Sequence, residues 1–93
     1  MEEVRAHLFI AGRVQGVCYR AFTRAVAHTL GLSGWVRNLG DGRVEAVFEG
    51  QRKLIQQAIG QCNSGPPGAH VANIEVQWEP FRAEEADFRI RYG

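Results

Sequence analysis

Apolar residues recur at every second position near the start of the chain. Val4, Ala6, Leu8 and Ile10 are separated by Arg5, His7 and Phe9, a period of two that predicts a strand. From Arg20 the period changes. Phe22, Ala25, Val26, Thr29 and Leu30 fall at i, i+3, i+4, i+7 and i+8, one face of a helix, and Gly31 is placed to cap it. Ser33 to Leu39 reads as a second strand, followed by the tight turn Gly40-Asp41-Gly42. Arg43 to Glu49 alternates again, with Val44, Ala46 and Phe48 on one face and Gly50 as the expected end. Gln51 to Asn63 returns to helical spacing, with Leu54, Ile55, Ala58, Ile59 and Cys62 sharing a face. After the loop Ser64–Gly68, Ile74, Val76 and Trp78 mark a fourth strand closed by Pro80. Phe88, Ile90 and Tyr92 mark a short last strand at an edge.

The order strand, helix, strand, strand, helix, strand, with a tail strand, predicts an α+β fold. It is the ferredoxin-like split βαβ sandwich, with two helices on one face of a mainly antiparallel sheet. Right-handed crossovers make the first two strands parallel, with the third antiparallel between them. Their C-terminal ends then lie at the same sheet edge. The loop ending in Arg20 and the segment at Asn38 are therefore expected to face the same patch of solvent.

The totals narrow the function classes. Ninety-three residues, 45% of them hydrophobic and 23% charged, predict a single globular domain over 1–93. No apolar run is long enough for a membrane span, and Met1-Glu2-Glu3 leads into no signal-type core. The expectation is a cytoplasmic protein without a membrane partner. A formal net charge of +1 provides no global field for nucleic acid. Cys18 and Cys62 are too few for a disulfide framework, and His7, His28 and His70 do not cluster with them as metal ligands.

The chemistry concentrates in Gln15–Arg20, between a strand and a helix N-terminus. Such a bend can turn successive backbone N–H groups inward around an anion, and a helix start adds free donors and a positive dipole end. Gly16 permits the twist and close approach. Arg20 would oppose the helix dipole unless an anion lies between them; its fork suits two oxygens of one phosphate. Asn38, beside this site by topology, carries an amide that can orient a water in line with a phosphoryl group. Arg13, Arg20, Arg24, Arg37 and Arg43 come from elements ending near that edge, where they could steer an anion. A rival reading takes Cys18 and Arg24 as the Cys-x5-Arg spacing of cysteine-dependent phosphatases. It requires the five residues between them to form a loop, yet they lack glycine and Phe22 already belongs to the helix.

Two stretches resemble the acylphosphatase family. "IAGRVQGVCYR", Ile10 to Arg20, is similar to its pattern of an apolar residue, x, Gly, x, Val-Gln-Gly-Val, x, an aromatic or Met, and Arg. "GWVRNLGDGRVEAVFEG", Gly34 to Gly50, carries the Arg-Asn pair, Gly42, Val44 and Gly50 at family spacing. The closing "FRIRY", Phe88 to Tyr92, is similar too. Tyr19 stands where the family more often has Phe or Met. The resemblance implies hydrolysis of acyl phosphates to a carboxylate and inorganic phosphate, without metal, cofactor or phosphoenzyme. It implies that Arg20 binds the phosphate, that the backbone of Gln15, Gly16, Val17, Cys18, Tyr19 and Arg20 cradles it, and that Asn38 positions the attacking water. It also implies that the substrate phosphate itself takes the proton.

A free-standing monomer acting on a small acyl phosphate is thus expected. Similar domains occur at the front of larger carbamoyl-transfer enzymes, but Gly93 closes this chain without a linker. The alternative is a module of the same fold that binds a phosphorylated ligand without cleaving it. Single-stranded RNA binding, which uses the same topology, is opposed by Glu45 and Glu49 on the outer face of the third strand.

Overall fold

The first strand, β1, runs from Glu3 to Arg13, further than the alternation of Val4 to Ile10 indicates. A bulge between Ala11 and Gly12 carries it onward to pair Gly12 with Val71. The remaining elements are α1 (Tyr19–Thr29), β2 (Ser33–Asn38), β3 (Val44–Gln51), α2 (Arg52–Ser64), β4 (His70–Pro80) and β5 (Phe88–Arg91). The computed structural model describes residues 2–92; Met1 and Gly93, the ends of the expected domain, lie outside the described residues.

The sheet order is β4-β1-β3-β2-β5. β1 pairs antiparallel with β3 and β4, β2 pairs antiparallel with β3, and β5 lies parallel to β2 at the edge. β1 and β2 therefore run the same way with β3 between them, as the crossover rule requires. This is the ferredoxin-like α+β architecture read from the order of elements. Its consequence for function is local: β1, β2 and β5 all deliver their C-terminal ends to one edge.

One further boundary and one buried face differ from the sequence reading. Gly50 does not end β3, because it pairs with Val4 and the strand continues to Gln51. Its φ is 150°, and a Cβ there would stand 2.7 Å from Leu32 Cδ2. Glycine at this point makes room for packing rather than for a turn. The buried face of α1 is also rotated from the expected one. Tyr19, Thr23, Val26 and Ala27 are buried, whereas Ala25 and Thr29 are exposed. Thr23 can lie inward because its hydroxyl donates to the Tyr19 carbonyl at 2.9 Å, which satisfies its polar group within the helix. Gly31 follows the C-cap Leu30, and Leu32 N–H and Gly31 N–H return to Ala27 O and His28 O. That is the paired closure in which glycine takes the left-handed position.

The core lies between the sheet and the helices. Ala6, Leu8 and Ile10 of β1, Val36 of β2, and Val44, Ala46 and Phe48 of β3 meet Val26, Ala27, Ile55, Ala58 and Cys62. Phe48 stacks on Phe88 with ring centroids 5.4 Å apart, which fastens β5 to the core side of the sheet. On the opposite face, Glu45 and Glu49 of β3 are buried and hydrogen-bonded. Glu45 accepts from Arg37 Nε and His7 Nε2, each at 2.6 Å. Glu49 Oε2 accepts the backbone N–H of Arg82 at 2.6 Å.

Candidate active site

The loop between β1 and α1 bends through two left-handed residues. Gly16 has φ 74° and Cys18 has φ 62°. Glycine adopts this region freely, whereas a residue with a side chain does so at a cost. Cys18 is the N-cap of α1, and its side chain makes no capping hydrogen bond. The first bond of the helix runs from Phe22 N–H to Cys18 O at 3.0 Å. The amides of Cys18, Tyr19, Arg20 and Ala21 consequently have no acceptor within the helix. No acidic residue occupies the first turn, so nothing local offsets the positive end of the helix.

All four of those residues line a cavity of about 390 Å³, together with Val14, Gly16, Asn38, Ile90 and Tyr92. The sheet explains the gathering. Asn38 is the last residue of β2, and β5 runs beside β2 with Val36 opposite Ile90. Both ends thus come to the edge at which β1 delivers the loop. Gln15 ties the loop to the β2–β3 turn, its Nε2 donating to Leu39 O at 2.8 Å and to Arg43 O at 2.9 Å. Asn38 Oδ1 is buried and has no hydrogen-bond partner among the described residues. Arg20 lies with Cζ 5.1 Å from the centroid of the Tyr92 ring.

Of the residues singled out by sequence, Gly16, Cys18, Tyr19, Arg20 and Asn38 line the cavity, while Gln15 and Val17 do not. Gln15 acts through the clamp just described, and Val17 packs partly buried against the core. Among the five arginines considered for steering, only Arg20 lines the cavity. Arg37 pairs with Glu45 on the far face of the sheet, and Arg43 pairs with Asp41 at 2.9 Å. The rival Cys-x5-Arg reading fails on geometry, because Tyr19 to Arg24 is helical rather than a loop and Arg24 does not line the cavity. Val14, Ala21, Ile90 and Tyr92 were not singled out. For Ile90 and Tyr92 the available signal was the period-two run from Phe88, which continues beyond β5 to the cavity rim.

Several candidate proton carriers are already committed. Asp41 accepts Arg43 N–H at 3.1 Å and Arg43 Nε at 2.9 Å. These bonds, the backbone one first, hold its carboxyl below the ordinary carboxylate value. Tyr19 donates its hydroxyl to Cys62 O at 2.7 Å, which satisfies the polar tip that distinguishes it from Phe or Met. Burial raises its pKa far above the usual phenol value, and burial pushes the Cys62 thiol up to about 11. Among the described residues, no group of three or more His, Cys, Asp or Glu is placed to hold a metal ion.

The model of the acylphosphatase family matches residues 6–90. The chain belongs to the acylphosphatase family. An acylphosphatase of Chloroflexus aurantiacus is 56% identical over 90 residues, covering 97% of this chain and 98% of the relative. An acylphosphatase of Roseiflexus sp. is 54% identical over 90 residues, covering 97% of each chain. The crystal structure of acylphosphatase from Bacillus subtilis superposes with a TM-score of 0.93 at 34% identity, covering 96% of this chain and 99% of that one. The similarity to acylphosphatases thus spans the loop, the asparagine strand and β5 together. No helix among the described residues is long and apolar enough to cross a membrane.

Proposed function

We propose that this chain is an acylphosphatase that hydrolyses the carboxyl–phosphate bond by in-line attack of a water oriented by Asn38. The phosphate is held by Arg20 and by the backbone amides of the Gln15–Arg20 loop. The observation that carries the reading is Asn38 Oδ1, a buried acceptor without a partner on a residue lining the same cavity as Arg20. A buried amide oxygen left without a hydrogen bond is costly to the fold, and a bound water supplies the missing donor.

The loop amides and the helix end receive the phosphate dianion. The Arg20 guanidinium takes two of its oxygens and stabilises the charge spread over the equatorial oxygens in the transition state. The water donates one hydrogen bond to Asn38 Oδ1, which directs its lone pair at phosphorus. As the new P–O bond forms, the bond from phosphorus to the acyl oxygen breaks. The carboxylate departs as a stable anion and needs no proton from the protein. Among the described residues the cavity lining offers no carboxylate or imidazole, and in this reading the proton of the attacking water passes to a phosphate oxygen of the substrate. Positioning and fixed charge supply the catalysis.

In this reading the chain works as a cytoplasmic monomer on a small-molecule acyl phosphate. Benzoyl phosphate at neutral pH, with a chelator present, is the test substrate. Release of benzoate and inorganic phosphate well above the uncatalysed rate is expected. A folded protein that binds phosphate but leaves benzoyl phosphate intact would instead be the non-catalytic module.

A further inference from the structure

Tyr19 faces two ways. Its backbone amide is one of the four at the start of α1 without an acceptor in the helix, and the residue lines the cavity. Its side chain is buried, and its hydroxyl donates to Cys62 O at 2.7 Å. The two residues are 43 apart in sequence, so the bond joins the start of α1 to the last turn of α2. The Cys62 end explains why a donor is needed there. Gly65 N–H donates to Gln61 O at 2.9 Å. The next helical bond, to Cys62 O, would come from Pro66, which has no N–H. The Cys62 carbonyl would stay unpaired at the negative end of the helix, and the Tyr19 hydroxyl satisfies it. Gly65 leaves room for the ring, since a Cβ there would stand 3.3 Å from Tyr19 Cε2 and 3.1 Å from Ala69 Cβ. Phe or Met at position 19 would fill the same space without a hydroxyl to donate.

We infer that Tyr19, through its hydroxyl, is a positioning residue for the phosphate cradle, an assignment that rests on the phosphate-binding reading above. The amides that receive the anion lie where a left-handed N-cap meets a helix start, and no side chain caps that end. A rigid ring bonded at its far tip fixes where this first turn stands against α2. Ile55 and Ala58 of α2 belong to the core, so the anchor is made to the core and not to another loop. The Gln15 clamp acts elsewhere, tying the loop to the turn that follows Asn38. Loss of the Tyr19 hydroxyl therefore loosens the cradle amides and leaves the Asn38 side of the site in place. Those amides touch the phosphate in both the ground state and the transition state. Their misplacement removes uniform binding, which raises KM and weakens phosphate affinity more than it lowers kcat.

The test compares Tyr19→Phe, which keeps the ring and removes only the hydroxyl, with Thr23→Val as a packing control. Thr23 is buried in the same contact between the helices, with Cys62 Sγ 4.0 Å from its Oγ1, and its substitution leaves the Tyr19 bond in place. Melting temperature, inorganic-phosphate affinity by calorimetry, and kcat and KM for benzoyl phosphate are measured for the parent and both variants, at a temperature where all three are folded. Tyr19→Phe is expected to raise the phosphate Kd and KM by about 3- to 10-fold, the worth of one hydrogen bond. Its kcat is expected to stay within about twofold of the parent. Thr23→Val is expected to leave Kd and KM within about twofold, whatever its melting temperature. Parent-like phosphate affinity in Tyr19→Phe, even with a lower melting temperature, would overturn the assignment and leave the hydroxyl as a core contact. Equal weakening by both variants would overturn it as well, because the effect would then belong to helix packing. A parent that binds phosphate without turnover would defeat the hydrolytic reading, and the calorimetric comparison would still decide the role of Tyr19.

Discussion

Gly16 sits where three requirements meet: φ 74°, a place in the cavity lining, and open space around the point where a Cβ would stand, with no atom within 4 Å. The last fact separates strain from collision. Gly16→Ala is expected to fold and to lose about 1–2 kcal/mol from the left-handed backbone alone, read by urea denaturation. Because relaxation of that strain would turn the loop amides, the weakening of inorganic-phosphate inhibition should accompany it. Unchanged stability together with unchanged inhibition would show that the loop does not depend on this conformation. Cys18 occupies the same region without glycine's freedom. Backbone strain of this kind persists only where the surroundings hold it, and here a helix start and a clamped loop do so. Arg20, Gly16 and Asn38 could be singled out from sequence because each residue type has a specific capability. Tyr92 could not, since period two establishes that it lies on a strand face and says nothing about which side chain lies over it.

Among the elements, the joint between the β1–α1 loop and the β2–β3 turn is the one on which the site depends. Its two halves are 24 and 28 residues apart in sequence and are joined by one amide group on Gln15. Gln15→Leu removes both hydrogen bonds and leaves Leu39 O and Arg43 O with only their backbone donors, Gly42 N–H and Leu39 N–H. A stability loss of about 1–2 kcal/mol is expected, with a fall in turnover larger than the fall in phosphate affinity, since Asn38 moves relative to the loop. Thermal denaturation and a kcat against KM comparison check it; parallel loss of kcat and affinity would contradict the clamp. This joint was not legible in the sequence, because Gln15 was read as part of the cradle and its partners are backbone carbonyls, which carry no sequence signal. Gly50 was misread for a related reason. A glycine after an alternating run signals a turn, whereas here Leu32 presses on the strand from across the fold. The order of elements was legible throughout, because changes of period between two and 3.6 are local properties of the chain.

At the scale of the whole molecule, the two faces of the sheet are stabilised differently. The helix-covered face is apolar, while the opposite face holds paired charges. Partial burial alone would raise the Glu45 carboxyl, but hydrogen bonds from His7 and Arg37 outweigh it and hold the group below its ordinary value of 4.5. A carboxylate with a depressed folded-state pKa adds stability above its unfolded value, and that contribution disappears as pH falls through the folded value. Melting temperature should thus decline below about pH 4.5, and the decline should be shallower in Glu45→Gln, which has no charge to lose. An identical acid profile in the two proteins would remove Glu45 from the account. The site is sheltered from this titration, since Glu45 projects from the face opposite the cavity.

The central claim concerns Asn38, and its most direct measurement is kcat for benzoyl phosphate in Asn38→Ala set beside the inorganic-phosphate inhibition constant of the same variant. The account expects kcat to fall by about 100-fold or more, in the range lost when a positioned catalytic hydrogen bond is removed, with the inhibition constant within about threefold of the parent because Arg20 and the loop amides remain. A variant that turns over at the parent rate would contradict the assignment of the water to Asn38.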